Sequence, residues 1–277
     1  MLKELSELAR YRELLLNLVV RDLKVRYKNS ILGFFWSLAN PLLQVAVITF
    51  VMRKVMIADV PNYSAYLLCA FLPWTFFQMS VLDASSSVLF HGNLVKKTYF
   101  PREILPISIV LSNLVHFILA LGIFFIYLQV LGTPVLITWL MLPVLVIIQL
   151  LFTMGVAFFV SCLNVFYEDI KYLATVVLSL LFFMLPIMYL VEQIHNYAAT
   201  IPAVYRPWLI GSYYLNPLSF LLTAYRKLLL PAFNTATIQD VSLNYWYLAL
   251  AGVTSLLICL AGYAFFNSRK WSFAERL

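Results

Sequence analysis

From Ile104 to Leu163 the chain holds no Lys, Arg, Asp or Glu, and the turn that divides this stretch, Gly132-Thr133-Pro134, is itself uncharged. The two halves, Ile104 to Leu131 and Leu136 to Leu163, each exceed the roughly 20 apolar residues that carry a helix across a bilayer. A soluble fold of 277 residues has no interior that hides such runs, so the chain is expected to be an integral membrane protein. The bulk figures agree, with 63% hydrophobic and 11% charged residues against about 25% charged in soluble domains.

Further apolar runs cover Leu32 to Met56, Tyr63 to Phe90, Tyr172 to Val191 and Trp246 to Phe266. The expected fold class is therefore an all-α integral membrane protein with six transmembrane helices. Asn40-Pro41 lies inside the first run, where a proline kinks a helix but neighbouring helices can satisfy the freed carbonyl. Met1 to Lys28 mixes charges with leucines and lacks a signal-peptide pattern, so it is expected to be retained.

Residues 5 to 28 are too charged to span. At 100° per residue Arg10, Glu13, Asn17, Arg21, Lys24 and Lys28 fall on one stripe, and Leu8, Tyr11, Leu15, Leu18 and Val19 fall opposite. The pattern predicts an amphipathic helix in the headgroup plane, interrupted by Arg12, Asp22 and Arg26. A solvated helix that merely anchors the first span is the alternative. The domain division that follows is an interface helix over 1–31 and a membrane domain over 32–277.

Between the fifth and sixth runs, Pro202, Pro207, Pro217 and Pro231 divide a stretch rich in aromatics, closed by Arg226-Lys227. Irregular backbone at membrane depth is tolerated only when buried in protein or lining a wet cavity. Residues 192–230 are thus expected to form re-entrant or interfacial helices that cap one mouth, with a tilted seventh span over Leu215 to Leu230 as the alternative. With six spans and the N-terminus inside, fourteen of the 19 Lys and Arg fall in cytoplasmic segments and five outside. The positive-inside rule therefore favours cytoplasmic N- and C-termini.

Absent motifs narrow the chemistry. None of the eight glycines is followed by lysine, so a Walker A loop is impossible. Cys69, Cys162 and Cys259 stand singly, which indicates neither a disulfide framework nor a metal site. Asp83 is the only charged residue well inside a span, with no carboxylate partner on its helix, whereas ion-coupled transporters carry several such charges. No catalytic residue, metal or cofactor is expected in this chain. An energy source is expected on another subunit.

Four ordered segments carry a resemblance: Arg26-Tyr27-Lys28-Asn29-Ser30-Ile31-Leu32-Gly33-Phe34-Phe35-Trp36-Ser37-Leu38-Ala39-Asn40-Pro41, then Pro73-Trp74-Thr75-Phe76-Phe77, then Asn93 through Pro106, and Leu215-Asn216-Pro217-Leu218. Together they resemble the permease subunit of ATP-binding-cassette exporters of polysaccharides, which move O-antigen, capsule or teichoic-acid polymers. The resemblance implies a homodimer of permeases in the bacterial inner membrane, docked on two copies of a separate ATPase that binds ATP and Mg. It also implies a lipid-linked glycan as substrate and no nucleic-acid partner.

Three sets of residues take roles on this reading. The segment 91–104 matches the helix that enters the ATPase, with Leu94, Lys96, Lys97, Tyr99, Phe100, Pro101, Arg102 and Glu103 as coupling residues; Tyr99 and Phe100 have no reason to face water. Arg21, Lys24, Arg26 and Lys28, beside the Leu32-Gly33 hinge, are candidates for the diphosphate of a lipid-linked glycan, although topology signalling accounts for the same charges. Phe50, Tyr63, Tyr66, Trp74, Phe182, Phe183 and Tyr189 are candidate channel aromatics, since sugar C–H faces stack on rings. Asp83 either faces the channel or is satisfied by a neighbouring helix, and Glu168 departs from the basic residue common at its place in the family.

The alternative readings are an exporter of small hydrophobic drugs, an ion-coupled glycan flippase, and a membrane-embedded glycosyltransferase. The last would call for a carboxylate pair or clustered loop arginines, which the sequence lacks.

Overall fold

The computed structural model describes residues 10–28, 34–55, 60, 62–97, 100–232 and 240–276, and every regular element among them is helical. In chain order these are α1 (Arg12–Tyr27), α2 (Phe34–Phe50, continued by a π-helical turn Val51–Val55), α3 (Tyr63–Ser85), α4 (Ser87–Phe90) and α5 (Gly92–Lys97). Then come α6 (Ile104–Val130), a 3-10 turn (Ile137–Met141) leading into α7 (Leu142–Phe166), and α8 (Ile170–Met184). Three short helices follow, α9 (Val191–Thr200), α10 (Arg206–Leu215) and α11 (Pro217–Leu229), and the chain closes with α12 (Tyr245–Arg269) and α13 (Phe273–Arg276).

Four stretches among the described residues are long and apolar enough to cross a membrane: Tyr63–Ser85, Ile104–Val130, Ile137–Phe166 and Tyr245–Ser272. The other two expected spans are shorter helices. α8 has 15 residues, about 23 Å at 1.5 Å per residue, because the run expected to reach Val191 breaks at Leu185, whose extended backbone (ψ 152°) is what a following proline, Pro186, imposes. The 17 residues of α2 reach about 26 Å. The run expected over Tyr63 to Phe90 likewise breaks at Ser86, where Ser85 and Ser87 bond back to the carbonyls of Leu82 and Ala84 at 2.6 and 2.7 Å and compete with the helix ladder.

α3 is the central helix, buried along most of its length and packed on α2, α6, α7, α8 and α11. α7 and α12 make the most intimate pair. A Cβ placed on Gly155 would lie 2.6 Å from the backbone carbonyl of Ile258, and one on Gly262 would lie 2.3 Å from the carbonyl oxygen of Gly155. Small residues let membrane helices approach this closely, and the gain is packing rather than exclusion of water.

The two ends of the bundle differ. At one end Leu18 of α1, Val95 of α5, Phe100, Ile104 and Leu105, Phe158 and Cys162 of α7, Tyr263 and Phe266 of α12, and Phe273 of α13 form a separate core. At the other end lie α9 to α11. α11 has 13 residues, about 20 Å, and is both shorter and less apolar than α8, which counts against the tilted seventh span. Asn216 caps it by accepting from Leu218 N at 3.1 Å, and Pro217 occupies its first turn. Its last carbonyls, Leu228 and Leu229, accept from Thr138 Oγ1 at 2.7 Å and Trp139 Nε1 at 3.1 Å, which satisfies groups a helix end leaves open.

Candidate functional site

Along α1 the expected polar stripe, Arg10, Glu13, Asn17, Arg21, Lys24 and Lys28, is exposed, while Leu18 and Val19 are buried. Two of the four cations proposed for a diphosphate are already engaged. Arg21 Nη2 meets Asp22 Oδ1 at 2.7 Å and His91 Nε2 at 2.5 Å. Arg26, one of the interruptions in the apolar face, donates to Asp83 Oδ2 at 2.7 Å and to Asn113 Oδ1 at 2.8 Å, and Asn113 Nδ2 closes the triangle on Asp83 at 3.1 Å. Asp83 is thus satisfied by two neighbouring helices, α1 and α6. The Arg26–Asn113 side opens into a small cavity shared with Thr75 and His116. Leu32 and Gly33 lie outside the described residues.

The segment expected to couple to an ATPase is helical only over Gly92–Lys97. Lys96 and Lys97 face outward, Leu94 is half-buried, and Tyr99 lies outside the described residues. Phe100 does avoid water, but by packing into this chain's own core at 6% exposure, so no partner is needed to cover it. Pro101 is buried beside it. Arg102 donates to the carbonyl of Lys270 and lies over the Trp271 ring; burial lowers its pKa from the ordinary guanidinium value, opposed by Glu103 alongside. Glu103 is buried against Lys270 Nζ at 3.3 Å, and together these contacts tie the 100–104 turn to the C-terminal tail.

At the opposite end the organising residue is Arg226 of α11, only 2% exposed. Its guanidinium donates to the carbonyls of Tyr66 at 3.1 Å, Pro186 at 2.6 Å, Tyr189 at 3.0 Å and Ile187, and it lies 3.9 Å over the Tyr66 ring. Hydrogen bonds from a charged donor are the strong ones, and the stack adds a cation–π contribution. Tyr63 donates to the carbonyl of Met188 at 2.6 Å. The irregular 185–190 segment left by Pro186 is thereby held to α3 and α11. Next to it Lys227 pairs with Glu192 and, at 2.5 Å, with Asp240.

The candidate channel aromatics separate into two groups. Tyr63, Tyr66 and Trp74 are committed to packing inside the chain, Trp74 against Phe77 and Phe182 at 5.8 and 6.0 Å between centroids. Phe50 and Phe183 are exposed, at 63% and 68%. Phe182 bridges the groups, half-buried and edge-on to Phe183 at 5.3 Å. Tyr189 is half-buried, with its hydroxyl 3.1 Å from that of Tyr213.

Residues 13–230 match the family described as ABC-2 type transporter. The chain belongs to that family. It is 32% identical to an O-antigen export system permease protein RfbA of Klebsiella pneumoniae over 266 residues, covering 96% of this chain and 95% of the relative. It is 32% identical to the O-antigen export system permease protein RfbA of Myxococcus xanthus over 280 residues, covering 100% of both chains.

Within this ABC-2 type transporter chain, no group of three or more His, Cys, Asp or Glu residues able to hold a metal occurs among the described residues. Sequence reasoning missed the Arg226 carbonyl cage and the Gly155–Gly262 crossing. Arg226-Lys227 was visible as the basic end of an apolar run, but its partners are backbone oxygens 37 to 160 residues away, and a carbonyl has no sequence signature.

Proposed function

We propose that this chain is the permease of an ATP-driven exporter of a lipid-linked, O-antigen-like polysaccharide. The observation that carries the reading is the alignment along nearly the whole of both chains with permeases named for O-antigen export. In this account the chain crosses the bacterial inner membrane six times, α2 and α8 serving as the two shorter crossings, with both termini in the cytoplasm. Two copies form the conduit and two copies of a separate ATPase drive it; the chain itself catalyses no covalent step.

The end that gathers α1, α5 and the tail is the ATPase side on this reading. Lys96 and Lys97 are exposed on α5 and available to a partner, and Lys24 and Lys28 are exposed cations near the first crossing with no ion pair among the described residues. The exposed rings of Phe50 and Phe183, with Phe182 and Tyr189, are the aromatics available to a passing sugar chain, and α9 to α11 form the gate. The test is copurification: the chain should bring down an ATPase whose turnover rises with a lipid-linked glycan. An ATPase stimulated equally by small hydrophobic drugs would favour the drug-exporter alternative instead.

A further inference from the structure

Between the end of α8 and the α10–α11 corner lies a cavity of about 180 Å³, room for roughly six liquid waters or one pyranose unit. Leu181, Met184 and Leu185 form one wall, and Ser212, Tyr213, Asn216 and Ser219 form the other. None of these side chains is ionisable near neutral pH, so a phosphate, a carboxylate or a metal ion would find no counter-charge.

The polar wall presents both halves of the hydrogen-bonding repertoire. Tyr189 donates its O–H to the carbonyl of Met184. A phenol has one proton, so at the 3.1 Å contact between the two hydroxyls Tyr213 is the donor, and its oxygen keeps lone pairs for another partner. Ser212 has likewise spent its proton on the Leu209 carbonyl at 2.7 Å and remains an acceptor. Asn216 caps α11 through Oδ1, which leaves its Nδ2 donors. Ser219 is 2% exposed, and its hydroxyl makes no hydrogen bond among the described residues.

From this arrangement we infer that the cavity is a subsite for one neutral sugar residue of the exported polymer. It rests on the reading of the cargo as a polysaccharide. A sugar offers alternating hydroxyl donors and acceptors to the Ser-Tyr-Asn-Ser wall and C–H faces to Leu181 and Met184. An acyl chain would leave the polar wall unsatisfied, and a lipid diphosphate would meet no cation.

The inference is tested on the intact permease–ATPase complex in nanodiscs by saturation-transfer NMR. The probe is the neutral oligosaccharide released by mild acid from the producing cell's own O-polysaccharide, with inorganic diphosphate as competitor. Wild type should show saccharide signal that diphosphate does not displace. Ser212→Phe, at an exposed position that fills the cavity, should abolish the signal, and Ser219→Ala should weaken binding about fivefold, the value of one hydrogen bond. No saccharide signal in wild type, equal binding in both variants, or displacement by diphosphate overturns the subsite. Surface polymer restored to a deletion strain by the wild-type gene shows that the exporter reading survives such a result; polymer that never depended on the gene removes both.

Discussion

Arg26 on α1 reaches across to Asp83 on α3, Nη2 to Oδ2 at 2.7 Å, and Asn113 of α6 bonds to both partners. This triangle fastens a helix that lies beside the bundle to two helices within it. Arg26→Ala and Asp83→Ala should each lower stability in detergent by about 1 kcal/mol, because the pair is partly solvated. A double variant that costs less than the sum of the two, measured by thermal unfolding, identifies the coupling.

The Gly155–Gly262 crossing predicts a sharp positional difference among glycines. Gly155→Ala and Gly262→Ala force a Cβ into the backbone of the facing helix and should destabilise by about 1–3 kcal/mol, with loss of export. Gly252→Ala meets only the Ile148 side chain at 3.6 Å, ordinary contact, and should match wild type in thermal unfolding or exceed it slightly through helix propensity.

Arg226→Lys keeps the charge but offers one ammonium where the guanidinium satisfies four carbonyls. It should cost about 3 kcal/mol or more and free the 185–190 segment. Faster proteolysis within that segment, with export lost, is the expected outcome; a variant as protease-resistant as wild type would show that the cage is dispensable.

Lys97→Glu should behave differently. The side chain is exposed on α5, so unfolding temperature should stay unchanged while ATP hydrolysis in the assembled complex loses its dependence on the permease. Retained stimulation would remove Lys97 from the coupling contact.

The membrane class was legible because an uncharged run from Ile104 to Leu163 admits few other readings, and the breaking of the stretch before the last run into short helices was legible from the prolines that divide it. What escaped was set by tertiary structure or by a single backbone effect. Pro186 shortened the fifth run through the conformation it imposes on Leu185, a restriction that hydropathy averages away. Phe100 was expected to need a partner, yet the chain supplies its own cover from α7, α12 and α13, elements that lie more than 40 residues away in sequence. Asp83 gave notice of itself as a lone charge in a span, but only the fold identifies Arg26 as its partner. At the candidate site, the aromatic content was readable, whereas the division into packed rings (Tyr63, Tyr66, Trp74) and available ones (Phe50, Phe183) depends on which helix face meets a neighbour.

The central claim is tested most directly by deleting the gene in the producing cell and following the lipid-linked polymer on both faces of the inner membrane. Export by this chain predicts polymer accumulating on the cytoplasmic face and vanishing from the cell surface, with the wild-type gene restoring both. Surface polymer at its normal level in the deletion strain would contradict the account.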